Sequence, residues 1–461
     1  MTQEDRELSL SPEDYSLLTD LYQLTMAACY IGEEIDQRQA NFEIFVRRLP
    51  VGFGYLIAMG LAQALDYLEK FRFSPAQIKA LQSTGIFANV PDKFWSVLAE
   101  AKFTGDVWAV PEGTAIFPNQ PLLRIEAPLW QGQLVETYLL NTLNYQTLIA
   151  TKAARIRDIA GNEAKLFEFG TRRAFSPQAS VWAARAALAG GMDATSNVLA
   201  ALKLGRKPVG TMAHALVMAI SAVEGTEEDA FHAFQRYFPE APLLIDTYDT
   251  SAATRLLAQR VKQGDMQVSG VRLDSGNLGQ LSQEVRSLLP EVTIFASGDI
   301  DEWEIARLQR ENACIDGYGI GTKLVTGVPV NGVYKLVEID GIPVMKNSTG
   351  KVSYPGRKQI YRYLENGQLK QDYLGLMDED VSNQTEHQTD SFIKLMSQVV
   401  KNGKIVQKSE NIEAIAKRTA ASVASLPPEI RSLENPNLLP MKISDNLQEL
   451  TQKTKELRIE N

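Results

Sequence analysis

One rhythm in the sequence, between Lys165 and Lys323, constrains the fold more than any other feature. Short apolar runs that end in polar or glycine residues alternate there with amphipathic segments of about 10–15 residues. The runs are KLFEFGTR, KPVGTMAH, APLLIDTYD, VSGVRLDSG, VTIFASGDID and CIDGYGIGTK. Buried parallel strands that alternate with helices are typical of β/α units. Six such runs in one stretch favour an irregular α/β barrel over an open sheet.

The segments on either side of this stretch follow a different pattern. Residues 104–128 read as short strands with Pro and Gly turns, and residues 329–365 read as hairpins with a turn signal at Asn331-Gly332. We expect these two segments to share one sheet. The sequence predicts three parts: an N-terminal α/β domain over 1–135 that is completed by 329–426, an α/β barrel catalytic domain over 136–328, and a polar helical tail over 427–461.

The overall charge disfavours binding to nucleic acids and to anionic membranes. The chain has 47 basic and 56 acidic residues and a net charge of −9, whereas proteins that bind DNA or anionic lipid are usually basic. No apolar run reaches the roughly 18 residues of a transmembrane helix, and the N-terminus is acidic and polar, unlike a secretory signal. The two cysteines, Cys29 and Cys314, cannot build a disulfide framework or a Cys-rich zinc site. We therefore expect a cytoplasmic protein with small-molecule partners.

Polar residues gather where the apolar runs end, which is where α/β barrels carry their functional groups. Arginines at these positions can bind anions through bidentate contacts, and glycine-rich turns that open toward a helix expose N–H groups to phosphate. Aspartates can hold ribose hydroxyls or a Mg²⁺ ion that bridges phosphates. Together these residue types indicate a phosphorylated sugar as substrate.

Histidine is scarce, with three in the whole chain: His214, His232 and His387. His232 lies in an amphipathic helical pattern and His387 in a polar loop, so packing or solvation explains both. His214 follows the run KPVGTMA, where it either does acid–base or nucleophilic work or is a buried, structurally satisfied histidine. The sequence contains no P-loop, GxGxxG, GxSxG, HExxH or paired CxxC motif, so dinucleotide binding and esterase chemistry have no support.

At these positions the chain resembles nicotinate phosphoribosyltransferases. The matching motifs occur in the family's order over roughly residues 10–365: TDLYQLTMA (19–27), FEFGTRRA (167–174), GGMDATSNVLA (190–200), GTMAHALV (210–217), LIDTYDT (244–250), GVRLDSGNL (270–278), SGDID (297–301) and GYGIGTKL (317–324). The resemblance implies the type II phosphoribosyltransferase fold, an irregular α/β barrel with a second mixed α/β domain. It also implies a homodimer with shared active sites.

The resemblance further implies a reaction. Nicotinate, phosphoribosyl pyrophosphate, ATP and water yield nicotinate mononucleotide, pyrophosphate, ADP and phosphate, which is the first step of NAD synthesis from nicotinate. Mg²⁺ is the implied cofactor and ATP a co-substrate. His214 is implied to carry the phosphoryl group of ATP as a phosphohistidine.

Substrate-binding roles carry over by motif position in the same way. Phe169 and Tyr22 are implied to sandwich the pyridine ring, with Tyr22 coming from the partner subunit. Arg172 is implied to lie by the nicotinate carboxylate and the phosphates, and Asp193 at the pyridine end of the pocket. The remaining implied substrate contacts are Asp246, Arg272 and Asp274, together with Gly298, Asp299, Gly319, Gly321 and Thr322 for the ribose and 5′-phosphate.

Several alternatives stay open at this point. Asn277 stands where many nicotinate-type relatives have Asp, which leaves the Mg²⁺ ligands unassigned. Nicotinamide phosphoribosyltransferase shares the RxDSGN pattern, and Asp193 could accept from a carboxamide, whereas GxDATSNVLA and GTKLVTG favour nicotinate. A phosphate-binding barrel isomerase or lyase, with Lys323 as its strand-end lysine, and a non-catalytic nicotinate-mononucleotide-binding protein are rivals from other classes. Lys346, Lys351 and Lys358 are either basic groups near the polyphosphate or part of a solvated hairpin.

Overall fold

The computed structural model describes residues 8–348, 351–381 and 392–457. The helices are α1 (Leu21–Gly32), α2 (Leu61–Glu69), α3 (Pro75–Ser83), α4 (Asp92–Ala99), α5 (Leu129–Leu134), α6 (Glu136–Ala160), α7 (Pro177–Ala189), α8 (Val198–Lys203), α9 (His214–Glu224), α10 (Glu227–Tyr237), α11 (Thr250–Gln263), α12 (Leu278–Leu288), α13 (Glu302–Arg310), α14 (Thr322–Val325), α15 (Ile412–Ser425), α16 (Pro428–Arg431) and α17 (Asp445–Glu456). None of them is long and apolar enough, within the described ranges, to span a bilayer.

The strands are β1 (Gln39–Val46), β2 (Leu56–Ile57), β3 (Asp106–Ala109), β4 (Ala115–Ile116), β5 (Pro121–Pro128), β6 (Lys165–Glu168), β7 (Ala194–Thr195), β8 (Leu243–Leu244), β9 (Gly270–Leu273), β10 (Thr293–Ser297), β11 (Gly317–Ile320), β12 (Gly332–Ile339), β13 (Ile342–Pro343), β14 (Asn347–Ser348), β15 (Lys351–Val352), β16 (Lys358–Glu365), β17 (Gln368–Leu376), β18 (Phe392–Lys394), β19 (Ser397–Lys401), β20 (Lys404–Ile405) and β21 (Met441–Ile443).

The chain divides into two compact units. Unit 1 comprises Met1–Thr147, Pro329–Asn411 and Ala424–Asn461, and unit 2 comprises Leu148–Val328 and Ile412–Val423. The sequence predicted a boundary at 135/136, whereas the observed boundary lies inside α6. That helix runs unbroken for 25 residues, so no local signal marks the change. The predicted separate tail also differs from the structure, because β21 pairs with β17 and α17 follows it within unit 1.

Unit 1 is built on a seven-stranded sheet with the order β13-β12-β1-β5-β3-β19-β20. Strand β1 is buried along nearly its whole length because it pairs on both sides, with β12 and β5. The segments 104–128 and 329–343 therefore share one sheet, as predicted. Strand β16 instead lies in a four-stranded sheet of order β18-β16-β17-β21.

Lys358 fits neither of the two roles that the sequence left open for it. Its side chain is 3% exposed, and its Nζ lies 2.9 Å from the Glu43 carboxylate. It also donates to the carbonyls of Tyr354 and Gly356, while burial lowers the pKa of its amine and Glu43 opposes that shift. Lys358 is therefore a structural residue of unit 1 and not a solvated or phosphate-facing lysine. The side chain of Lys351 lies outside the described part of the chain.

Unit 2 contains a six-stranded parallel sheet with the order β7-β6-β11-β10-β9-β8. Strands that are consecutive in the chain are neighbours in this sheet, except for β7 and β8, and β6 pairs with β11. The sheet therefore forms a ring that is open between β7 and β8. Helices such as α12 cover the outside, burying Leu278, Ser282 and Val285 at helical spacing. An irregular α/β barrel together with a second mixed α/β unit is the predicted fold class, and the prediction is confirmed.

Five of the six apolar runs contain barrel strands, and the run KPVGTMAH does not. Pro208 has no N–H to donate and Gly210 weakens an extended strand, so residues 207–213 take no regular structure. The Val209 N–H still donates to the Thr195 carbonyl of β7 at 3.0 Å, which brings this segment to the open side of the ring. The two-residue strand β7, in the motif GGMDATSNVLA, was not anticipated.

Candidate active site

A cavity of about 690 Å³ lies within unit 2, lined from inside the barrel. Phe167 and Phe169 share one face of the β6 segment because alternate residues of a strand point the same way, and both line the cavity. Their ring centroids are 6.2 Å apart, and the planes differ by 28°. Gly319 of β11 makes room for the Phe169 ring, since a Cβ at that glycine would lie 2.5 Å from it. The cavity thus has an aromatic wall suited to a flat ring.

Two arginines contribute positive charge near this wall. Arg272 of β9 lines the cavity, and Arg172 follows Phe169 on the loop after β6. Burial lowers the pKa of the Arg272 guanidinium, Asp274 and Asp246 oppose the shift, and the nearby charge of Arg172 lowers that pKa further. Within the described ranges Arg172 forms no ion pair. Two neighbouring guanidinium groups that repel one another indicate a binding site for an anion.

His214 is the first residue of α9, and its side chain is partly exposed. Its Nε2 lies 3.2 Å from Oδ1 of Asp246, which follows β8 and is almost completely buried. The other carboxylate oxygen of Asp246 accepts from the Asp274 N–H at 3.0 Å and from the Ser275 hydroxyl at 2.6 Å. A carboxylate facing Nε2 favours the tautomer with its proton there, which leaves the lone pair on Nδ1. In that tautomer Nδ1 is the ring nitrogen with a free lone pair.

The sequence did not anticipate that Asp246 would contact His214, and placed it among the substrate contacts. The carboxyl of Glu227, the first residue of α10, lies close to those of Asp246 and Asp249. Burial raises the pKa of Glu227 to about 7, and the charges of the two aspartates add to the shift. Ionisation of Glu227 near neutral pH thus adds negative charge close to Asp246 and Asp249.

The loops after β9, β10 and β11 meet because these strands are neighbours in a parallel sheet. Gly298 has a φ of +86°, and a Cβ there would lie 2.2 Å from the Asp274 carbonyl oxygen, so only glycine allows this approach. Asp299 is also left-handed, with a φ of +50°, and is exposed. The Ser297 hydroxyl donates to Asp274 Oδ1 at 2.5 Å. Gly298 therefore packs directly against Asp274, and Asp299 follows on the same loop.

Gly319 lies in β11, Gly321 follows the strand and Thr322 begins α14, and side chains of α6 support the segments that come next. Lys152 donates to the Thr326 carbonyl at 2.7 Å, and burial lowers the pKa of its amine. One helical turn later, Arg155 pairs with the buried Glu302 at 3.1 Å, which fixes the start of α13 after the β10 loop. Lys152 and Arg155 thus fix the segments that follow the glycine-containing ends of β11 and β10.

The structure does not bring Asp193 to this group. It precedes β7 beside Leu166, near the amino end of β6, and does not line the cavity. Its carboxylate accepts from the Leu166 N–H at 2.7 Å and pairs with Arg157 at 2.7 Å. Both contacts hold the Asp193 carboxylate beside Leu166, away from the residues that line the cavity. The pyridine-binding role implied for Asp193 therefore has no geometric support.

Asn277 caps helix α12, since its side-chain oxygen accepts from the Gln280 N–H at 3.2 Å. In the described part of the chain no group of three or more His, Cys, Asp or Glu side chains could hold a metal ion. The carboxylates of Asp246 and Asp274 already accept hydrogen bonds. The residues present therefore do not build a magnesium site on their own.

Unit 1 carries a second set of candidate residues. Tyr22 of α1 is 47% exposed. Arg47, which follows β1, was missed by the sequence reading. Its buried Nε and Nη2 atoms have no hydrogen-bond partner among the described residues. Burial lowers the pKa of the Lys335 amine, and the positive charge of Arg47 lowers that pKa further. The pattern that could have revealed Arg47 is the pair of arginines directly after a buried strand.

Models of one protein family match most of the chain. The N-terminal domain of nicotinate phosphoribosyltransferase matches residues 17–144, the nicotinate phosphoribosyltransferase family matches 164–403, and the C-terminal domain matches 357–451.

Curated proteins and a solved structure agree with that match. Nicotinate phosphoribosyltransferase pncB2 of Mycobacterium tuberculosis is 40% identical over 94% of this chain and 92% of its own length. The nicotinate phosphoribosyltransferase of Bacillus subtilis is 38% identical over 95% of each chain. The crystal structure of human nicotinic acid phosphoribosyltransferase superposes with a TM-score of 0.80 at 30% identity, covering 95% of this chain and 99% of that one.

Proposed function

The chain belongs to the nicotinate phosphoribosyltransferase family, and from that premise we infer that it makes nicotinate mononucleotide and pyrophosphate from nicotinate and phosphoribosyl pyrophosphate. This is an enzyme of NAD synthesis from nicotinate. The observation that carries the assignment to unit 2 is the pair Arg172 and Arg272 beside the aromatic wall at Phe169. A flat ring bearing a carboxylate, next to a polyphosphate, matches that combination of surfaces.

In the proposed reaction the pyridine nitrogen attacks C1′ of the ribose while the bond from C1′ to the pyrophosphate oxygen breaks. Phe169 holds the ring parallel to its own face, and the two guanidinium groups hold the anionic substrate groups. Positive charge on the ring nitrogen and negative charge on the leaving pyrophosphate develop together, so fixed cations at the phosphates stabilise the transition state. The turns at Gly298 and Gly321 retain the 5′-phosphate through their N–H groups, and Gly319 of β11 leaves room beside them.

Two features favour nicotinate over nicotinamide as the substrate. The carboxylate of Asp193, the acceptor that a carboxamide would need, is engaged by Arg157 and the Leu166 N–H. The cavity instead presents the cation of Arg272, which suits a carboxylate. We therefore expect nicotinamide to be a poor substrate.

We propose that ATP acts through His214. Nδ1 attacks the γ-phosphorus, the bond to the β–γ bridging oxygen breaks, and ADP leaves. Water later cleaves the N–P bond and releases inorganic phosphate. The phosphoryl group brings added negative charge toward the strand ends where Arg272 and Asp274 lie, so its presence changes the affinity for substrate phosphates. Magnesium, expected from the resemblance, would enter with the polyphosphates, and no step here depends on it.

We also propose a homodimer in which Tyr22 of one subunit completes the pyridine site of the other. Helices α8 and α9 support an interface, because they expose large apolar side chains. Val198, Leu202, Met218 and Val223 are between 55% and 81% exposed, and Val217 is the buried residue of α9. An apolar surface of this kind is typical of protein–protein contacts. The cytoplasmic location and the lack of nucleic-acid and membrane partners stay predictions.

One set of assays tests the function and the phosphohistidine. We would incubate the enzyme with nicotinate and phosphoribosyl pyrophosphate, with and without ATP, and measure pyrophosphate, nicotinate mononucleotide and ADP. The variant His214→Asn keeps a hydrogen-bonding group but cannot carry phosphate. We expect it to abolish ATP hydrolysis and acid-labile labelling from γ-labelled ATP, while slow ATP-independent synthesis survives.

His232→Asn is the matched control, because that histidine lies on the outside of α10 beside Glu228. It should keep both activities. Labelling that persists in His214→Asn excludes His214 as the acceptor, and the absence of pyrophosphate release from the wild-type enzyme excludes the transferase reaction.

A further inference from the structure

The segment that leads to His214 is weakly anchored. Residues 210–213 have no regular structure, and a Cβ at Gly210 would meet no atom within 4 Å. Upstream, the Val209 N–H pairs with Thr195, and downstream helix α9 begins at His214. Between these two points, Arg272 donates to Thr211 and Met212, and in the described chain the other hydrogen bond that reaches the segment runs from the Leu216 N–H of α9 to the Ala213 carbonyl at 3.0 Å.

Arg272 makes two contacts with this segment. Its Nη1 donates to the Thr211 hydroxyl at 2.7 Å, and its Nη2 donates to the Met212 carbonyl at 3.0 Å. A guanidinium has five N–H donors, so most of its capacity stays available. Its Nε is buried and has no partner among the described residues. Arg272 can therefore bind an anion in the cavity and hold Thr211 at the same time.

The chain from Thr211 to His214 is short. Three residues span at most about 10 Å when fully extended, so a movement of Thr211 is transmitted to the histidine unless the intervening residues absorb it. Asp274, which directly follows β9, donates its N–H to Asp246, the partner of His214. Strand β9 and the residue after it are thus linked to the histidine site by separate contacts through Arg272 and Asp274.

We propose that Thr211 is a positioning residue that couples the two halves of the reaction, because its hydroxyl ties the anion-binding Arg272 to the segment that carries His214. A substrate anion that binds Arg272 thereby shifts the position of His214. Phosphorylation of His214 in turn shifts the Arg272 side chain. The proposal rests on the phosphohistidine function proposed above. It predicts that loss of the hydroxyl separates ATP hydrolysis from nucleotide synthesis.

The test compares Thr211→Val, which removes the hydroxyl at nearly constant volume, with Thr211→Ser, which keeps it. The readout is the molar ratio of ADP to nicotinate mononucleotide formed with both substrates and ATP present. We expect the ratio to rise about fivefold or more in Thr211→Val, at the low end of typical couplings between sites. Thr211→Ser should stay near the wild-type ratio.

Thr254→Val is the matched control, since Thr254 is a buried threonine of unit 2 whose hydroxyl donates within α11 to the Thr250 carbonyl. A merely structural defect lowers ADP and nucleotide together and leaves their ratio unchanged, and that result in Thr211→Val would overturn the proposal. A raised ratio in Thr211→Ser or in Thr254→Val would overturn it as well. If Thr211→Val does not fold, Thr211→Ala provides the same comparison.

The wild-type enzyme and His214→Asn are measured alongside. Wild-type enzyme that makes nucleotide without hydrolysing ATP contradicts the phosphohistidine function and this proposal together. Wild-type coupling that survives unchanged in Thr211→Val contradicts the proposal for Thr211 alone.

Discussion

Replacing Asp246 by asparagine should slow phosphorylation of His214 without removing any substrate contact to Arg172 or Arg272. In the native site one carboxylate oxygen faces His214 Nε2, and the other accepts from the Asp274 N–H and the Ser275 hydroxyl. An amide has one acceptor oxygen and one donor nitrogen, so it cannot satisfy both sides. With its oxygen toward Asp274, its NH₂ faces Nε2 and drives the imidazole proton to Nδ1, which blocks the nucleophile.

The opposite orientation of the amide keeps the tautomer but places the NH₂ group against the Asp274 N–H. In this second orientation the Asp274 N–H loses its acceptor, which costs about 1–3 kcal/mol, whereas the first orientation keeps these hydrogen bonds but leaves no lone pair on Nδ1. Since 1.36 kcal/mol is a factor of ten in rate, the expected slowing is about 5- to 150-fold. Phosphoryl transfer carries this penalty because it needs the lone pair on Nδ1.

The assay is single-turnover labelling of the enzyme from γ-labelled ATP, followed by ³¹P NMR of the labelled protein. The wild-type signal should belong to Nδ1-phosphohistidine. Asp249→Asn is the control, because Asp249 caps α11 through the Ala252 N–H and asparagine caps a helix equally well. Wild-type labelling rates in Asp246→Asn, or a wild-type adduct on Nε2, would refute the orienting role assigned to Asp246.

Two further predictions concern assembly and pH. Tyr22→Ala and Arg172→Ala should each be inactive and should regain part of their activity when mixed, because mixed dimers contain one site without either lesion; no recovery despite demonstrated subunit exchange would contradict shared sites. Glu227→Gln should stabilise the fold above pH 7 and not near pH 4.5, because the raised pKa of Glu227 makes its ionised form unfavourable in the folded state. The full shift from 4.5 to about 7 corresponds to about 3 kcal/mol, and solvent screening at a half-exposed carboxyl reduces the expected gain to about 1 kcal/mol. Denaturant unfolding at pH 5 and pH 8 measures this gain, and equal gains at both pH values would exclude ionisation as the cause.

The placement of most strand-end residues could be predicted because it depends on local pattern. Once the apolar runs are recognised as parallel strands, Phe169, Arg272 and Gly298 must lie at one edge of the sheet, since the carboxyl ends of parallel strands coincide. The same logic fails for Asp193. Its motif matches the family, but it lies before a two-residue strand that the apolar pattern was too short to reveal.

The sequence by itself determined the β/α alternation, the set of residues available at the strand ends and the identity of the family, because periodicity and residue type are properties of short stretches of chain. The tertiary structure alone decided which of those residues touch. It paired His214 with Asp246 across 32 positions and Thr211 with Arg272 across 61, and it buried Lys358 against Glu43 across 315. It also placed a unit boundary inside the unbroken helix α6. Such contacts depend on how distant segments of the chain pack against each other. The sequence pattern around one residue therefore does not show which distant residue its side chain contacts.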